Sequence, residues 1–108
     1  MNKINPYRLT ILDIIYKFND KGKTTCQIAY LNPITGNKSK AIGVSKLKPG
    51  EKFVDYIGKR IAESRAKREM YMNYADFLEA ILSDCHYKHV KLADKELEHI
   101  RKMIDDLR

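Results

Sequence analysis

The sequence has no tryptophan, two cysteines, three prolines and five glycines in 108 residues. The cysteines, Cys26 and Cys85, are too few and too far apart for a disulfide framework, so we expect free thiols in a cytoplasmic protein. No apolar run approaches the ~20 residues that cross a bilayer, since the most apolar stretch, residues 11–16, is short and includes Asp13. We also expect no signal peptide and no membrane partner.

Catalytic patterns are missing too. We find no Ser-His-Asp ordering and no pair of acids in a setting that would raise a pKa. Residues 21–25 end like a phosphate-binding loop, with Gly22 before a lysine and a threonine, but the upstream glycine is absent. A hairpin turn explains this segment better. We therefore predict a protein that is not an enzyme and uses no cofactor.

A metal site is the weaker interpretation of the polar group Asp84, Cys85, His86 and His89. Histidines three residues apart can share a helix face, but structural zinc usually needs four ligands in paired clusters. We favour a buried Cys85 and histidines near a helix end, where positive charge is stabilising. The sequence thus predicts no metal.

Charge is unevenly distributed along the chain, whose net charge is +7. Residues 1–72 contain 15 Lys or Arg and 6 Asp or Glu, whereas residues 73–108 contain 6 and 8. We expect a single domain over residues 1–108, with a basic unit over 1–72 and a mildly acidic helical extension over 73–108. A basic surface attracts polyanions, although it also serves solubility.

Three strands are predicted in the first half, at residues 7–18, 24–31 and 40–47, from β-prone residues and alternation. The turn signals Asn19-Asp20-Lys21-Gly22 and Asn32-Pro33-Ile34-Thr35-Gly36-Asn37 separate them. Residues 2–18 also fit helical spacing, so a helix remains an alternative there.

Helices are predicted from the Lys48-Pro49-Gly50-Glu51 turn onward. The first extends to about Met70, with an apolar stripe on Phe53, Ile57, Ile61 and Ser64. We expect Gly58 of this helix to meet the small strand face around Gly43. A second helix is predicted from Asn73 to Cys85 and a third from Asp94, which carries Leu97, Ile100, Ile104 and Leu107.

The fold class predicted is therefore α+β: a three-stranded antiparallel meander followed by a long helix and two shorter C-terminal helices. The apolar stripes of the last two helices leave two possibilities open. They could cover the second face of the sheet, or they could pair with a second copy to form a homodimer. We favour the first, which would remove the sheet as a nucleic-acid surface.

The segment GVSKLKPGEKFVDYIGKRIAESRA, residues 43–66, resembles small uncharacterised proteins from phages and prophages of Gram-positive bacteria. The matching positions are Gly43, Val44, Ser45, Lys46, Pro49, Glu51, Phe53, Ile57, Gly58, Lys59, Ile61, Ala62, Arg65 and Ala66. The chain departs from this pattern at Leu47 and Lys48. The resemblance covers about a quarter of the chain and implies a mobile-element origin and a strand-to-helix unit, without any chemistry.

The functional hypothesis is a phage-type nucleic-acid-binding protein that uses a basic surface, with DNA favoured over RNA. Some DNA-binding modules lay a sheet into the major groove. We predict contacts from Lys46, Lys48, Lys52, Lys59, Arg60, Lys67, Arg68, Lys38 and Lys40. Sheet tyrosines Tyr7, Tyr16 and Tyr30 could interleave with lysines near the two hairpin ends, namely Lys21, Lys23, Lys38 and Lys40. The alternative is an inhibitor or adaptor that binds a host protein.

Overall fold

The computed structural model describes residues 5–19, 21–47, 55–84 and 90–107. Three strands, β1 (Thr10–Phe18), β2 (Lys23–Leu31) and β3 (Lys38–Lys46), form one antiparallel sheet in the order β1-β2-β3. Two helices follow, α1 (Asp55–Asp84) and α2 (Val90–Asp106). The α+β class and the meander are confirmed, and the first segment is a strand preceded by a short turn. The predicted Lys48-Pro49-Gly50-Glu51 turn lies outside the described residues.

Both hairpin turns form around an asparagine that hydrogen-bonds to following backbone amides. Asn19 Oδ1 accepts from the N–H groups of Lys21 and Lys23, and Gly22 has a φ of 79°. Asn32 Oδ1 accepts from Ile34 and Thr35 in the second turn. Side-chain oxygens that imitate a backbone turn are the usual role of asparagine at such positions. Residues 21–25, whose sequence resembles the end of a phosphate-binding loop, therefore belong to a hairpin turn and the start of β2.

Strand register gives the sheet two different faces. Tyr16, Cys26 and Gly43 lie in one row across the three strands, and Ile15, Gln27 and Ile42 lie in the next. Because side chains alternate along a strand, these rows belong to opposite faces. The face that contains Cys26 packs against α1 and is buried. We call the face that contains Ile15, Gln27 and Ile42 the open face.

Small residues bring α1 close to the sheet. Ala62 and Ala66 are fully buried, and a Cβ on Gly43 would overlap the carbonyl oxygen of Ala62 and the backbone nitrogen of Ala66. The predicted close approach of Gly43 to the helix is confirmed. The prediction that Gly58 is the helix residue it meets is wrong. Gly58 lies against Thr24 on β2, where a Cβ would be 2.7 Å from Thr24 Oγ1.

The apolar stripe predicted for α1 is not the side of the helix that packs on the sheet. Ile57 is 52% exposed and Ile61 is 38% exposed, while the neighbouring alanine stripe faces the sheet. Because α1 lies so close to the sheet at Gly43, only small side chains such as those of Ala62 and Ala66 fit at this contact. Hydrophobicity alone therefore pointed to the wrong side of the helix. Phe53 lies outside the described residues.

The structure has two helices in its described part rather than three, because the predicted first and second helices are one continuous α1 of 30 residues. No Gly or Pro interrupts the chain between Met70 and Tyr74, and both side chains are buried. Burial repeats every four residues along α1, at Ala62, Ala66, Met70, Tyr74 and Leu78. Since a helix has 3.6 residues per turn, this stripe winds around α1, and its second half faces a different partner.

That partner is α2, which packs against the C-terminal half of α1 in a second core with Leu78, Ala93, Leu97 and Ile100. The helix begins at Val90, so Asp94 is an interior residue rather than its cap. The favoured prediction that C-terminal helices cover the sheet is wrong, because α2 lies on α1 and no described helix packs on the open face. None of the described helices is long and apolar enough to cross a membrane.

Candidate nucleic-acid interface

The open face has basic ends and an apolar centre. Its described strands carry five lysines and the single acid Asp13: the lysines are Lys17, Lys23, Lys38, Lys40 and Lys46. The central row contains Ile15 and Ile42, which are 43% and 50% exposed. Lysines on a sheet face that no described helix covers give a positive surface that a polyanion can approach.

Two lysines of the open face stand directly opposite each other. Lys23 of β2 and Lys46 of β3 are register partners, and Lys17 is on the same face in the row beside them. Like charges in directly opposed strand positions are destabilising. An anion bound between them would relieve this repulsion, so this end of the open face is its strongest candidate for a phosphate contact.

The aromatic side chains of the sheet do not lie on the open face. Tyr16 pairs with Cys26, Tyr30 pairs with Ser39, and both rows face α1. Tyr7 packs in the second core, and Tyr74 Oη donates a hydrogen bond to its carbonyl oxygen. The predicted interleaving of these tyrosines with the sheet lysines is therefore not observed.

The predicted cations of α1 lie away from the open face, because α1 packs on the opposite side of the sheet. Lys59 Nζ is 5.4 Å from the ring centroid of Tyr16 and 5.5 Å from that of Phe18. Arg60 stacks over Tyr56, with Cζ 5.6 Å from the ring centroid. Both cations are held against aromatic rings of the protein itself.

Lys67 lies in a small polar group beside β1. Its Nζ is 3.6 Å from Glu63 Oε2, and Glu63 Oε1 accepts a hydrogen bond of 2.7 Å from Tyr16 Oη. This bond, together with burial and the carboxylate charge, raises the pKa of Tyr16 to about 12. Burial also raises the pKa of the Cys26 thiol. Both groups are therefore protonated at neutral pH, which suits a structural role.

Arg68 lines a cavity of about 230 Å³ beside α1, together with Arg65, Glu69, Met72 and Asn73. Its Nε is buried and has no hydrogen-bond partner among the described residues. Arg65 Nη1 donates to the Val44 carbonyl at 2.5 Å, and the Ile42 amide donates to Glu69. The cavity wall thus includes a carboxylate, and two of its charged side chains already bind the edge of β3.

Of the nine predicted contact residues, the structure places Lys38, Lys40 and Lys46 on the open face, with Lys46 at the opposite end from the other two. The four described α1 residues, Lys59, Arg60, Lys67 and Arg68, belong to the helix on the other side, so the nine do not form one patch. Lys48 and Lys52 lie outside the described residues. So do Cys85, His86 and His89, while the described residues contain no group of three or more potential metal ligands.

The nine predicted contacts omitted two lysines of the open face, Lys17 and Lys23, of which Lys23 was expected only beside the sheet tyrosines. A sequence signal for them exists. The asparagine-initiated turn at residues 19–22 fixes how β1 pairs with β2, and alternation outward from that turn puts both lysines on one face.

Comparison of the chain with models of known protein families, with curated proteins and with solved structures gives no match.

Proposed function

We propose that this protein binds nucleic acid through the open face of its sheet, without catalysing a reaction. The observation that carries the proposal is the set of five lysines, two of them directly opposed, on a face that no described helix covers. A phage or prophage origin, suggested by the segment over residues 43–66, is compatible with such a role.

Duplex DNA is the form of nucleic acid that this face suits best. Proteins that bind single strands commonly stack bases on aromatic side chains, and the open face of the described strands has none. Its central side chains, such as Gln27 and Ile42, are of the kind that contact base edges and thymine methyl groups in a major groove. The lysines at both ends of the face are suited to flanking phosphates.

Charge neutralisation tests the proposal. The variant Lys38→Gln, Lys40→Gln, Lys46→Gln removes three charges from the open face, and the control Lys91→Gln, Lys95→Gln, Lys102→Gln removes three exposed charges from α2. We expect the first variant to lose ~10-fold or more in affinity for a labelled duplex and about three units of salt slope. The control keeps nearly the affinity of the parent protein. Equal losses in both variants would contradict a binding site on the sheet.

A protein partner is the second candidate function. Apolar side chains near the start of α1 support it, since Tyr56 is 64% exposed and Ile57 and Ile61 are exposed on the same part of the helix. Such a surface fits a host-protein inhibitor or adaptor. The substitution pair Ile57→Gln, Ile61→Gln separates the two functions, because it would abolish protein binding and, since it does not change the charge, leave duplex affinity unchanged.

A further inference from the structure

Helix α1 contacts the two edges of the sheet in different ways. At β3, Arg65 and Glu69 of α1 bind the outward-facing carbonyl of Val44 and the outward-facing amide of Ile42. A strand could not add to this edge without breaking both contacts. Helix α1 packs mainly on β2 and β3, and it contacts the middle of β1 through the Tyr16 side chain on the buried face, not through the backbone groups of Ile14 or Tyr16. The β1 edge is therefore where a further strand could join the sheet.

The backbone of β1 is oriented for such pairing. The Asn19 amide donates to the Lys23 carbonyl, so alternation along the strand means that Lys17 and Ile15 of β1 also hydrogen-bond to β2. Ile14 and Tyr16 consequently direct their N–H and C=O groups outward. The Ile14 amide is held by the Asp13 carboxylate of the same strand, an interaction that an incoming strand would replace.

The side chains of β1 are complementary to a second copy of the same strand. An antiparallel β1–β1 pair with its two-fold axis at Ile15 would exchange hydrogen bonds between Ile14 and Tyr16 of the two chains. It would also bring Asp13 of each chain directly opposite Lys17 of the other. Opposite charges in such a pair are stabilising, and the two copies of Ile15, each 43% exposed, would pack together.

We propose that this protein forms a symmetric dimer through β1, which joins two sheets into one of six strands. A two-fold axis perpendicular to the sheet keeps both open faces on the same side. The dimer would therefore double the length of the basic surface. The inference rests on the edge and charge pattern of β1 and does not depend on nucleic-acid binding.

Reversing the charge of Asp13 or Lys17 tests the dimer. The mass of the full chain, free of nucleic acid, is measured by analytical ultracentrifugation. We expect the parent protein to reach twice the monomer mass as concentration rises. The variants Asp13→Lys and Lys17→Asp should each dissociate at least 10-fold more readily, because each opposes like charges. An equimolar mixture of the two should dimerise again, since both lysines of the first variant would then face an aspartate of the second.

Recovery in the mixture distinguishes pairing at the axis from a folding defect, and circular dichroism verifies that each variant is folded. A monomeric parent protein at high concentration would overturn the proposal. So would dimerisation of either single variant with the affinity of the parent, because the interface would then lie elsewhere. Loss of duplex binding with the dimer intact would reject the proposed function alone.

Discussion

Gly43 of β3 lies against the carbonyl oxygen of Ala62 in α1, with no space between them for a side chain. This contact sets how closely the helix approaches the sheet, and it places both residues in the fully buried core. It also determines which face of the sheet is left uncovered. The open face is thus a consequence of where the small residues lie.

The substitution Gly43→Ala should destabilise the fold. Its methyl group would meet backbone atoms of Ala62 and Ala66, which cannot turn away as a side chain can. We expect a loss of about 1 to 3 kcal/mol in the free energy of unfolding, measured by urea denaturation. Ser39→Ala, on an exposed position of the same strand, is the control and should change stability little. An unchanged stability for Gly43→Ala would mean that α1 does not pack in this way.

The approach of helix and sheet at Gly43 was predictable because alternation in β3 puts Ala41, Gly43 and Ser45 on one face. The contact surface of α1 was not, because apolar periodicity favours Ile57 and Ile61 over the alanines that pack there. The continuity of α1 was missed for a similar reason. Asn73 is a good helix cap in isolation, but burial of the neighbouring Tyr74 holds it inside a helix.

Arg8 and Glu96 form an ion pair that joins the segment before β1 to α2. Arg8 Nε is 2.8 Å from Glu96 Oε1, and the Glu96 side chain is 1% exposed. Replacing Arg8 with leucine would leave a buried carboxylate without its partner, so we expect a loss of about 1 to 3 kcal/mol in unfolding free energy. The double variant Arg8→Leu, Glu96→Leu should lose less than the two single variants together. Strict additivity in this cycle would show that the two side chains do not interact.

Tyr16 should make stability depend on pH in the alkaline range. Its hydrogen bond to Glu63 raises its pKa from 10 in the unfolded chain to about 12 in the folded protein. The folded state therefore holds the phenolic proton more tightly, and this contribution is complete below pH 10 and is lost as pH rises from 10 through 12.

The variant Tyr16→Phe tests this dependence. We expect its unfolding free energy to fall less steeply than that of the parent protein between pH 10 and pH 12. The variant comparison is needed because burial raises the pKa of Tyr71 and Tyr74 as well. If the unfolding free energies of the two proteins depend on pH identically, the Tyr16–Glu63 hydrogen bond is not the cause of the loss of stability.

The candidate site was only partly predictable. A count of charges locates the excess of lysine in the first 72 residues, but it does not say which lysines share a surface. Lys40 and Lys59 are both basic, yet the first is on the open face and the second lies over aromatic rings on the helix side. Separating them required the strand register and the side of the sheet on which α1 packs.

Lysine acetylation with and without a short DNA duplex, followed by mass spectrometry, tests the central claim most directly. The open-face account predicts that the duplex slows modification of Lys17, Lys38, Lys40 and Lys46, while the exposed α2 lysines Lys91, Lys95 and Lys102 react at the same rate in both samples. Protection of the α2 lysines, or equal reactivity of the sheet lysines with and without duplex, would contradict it.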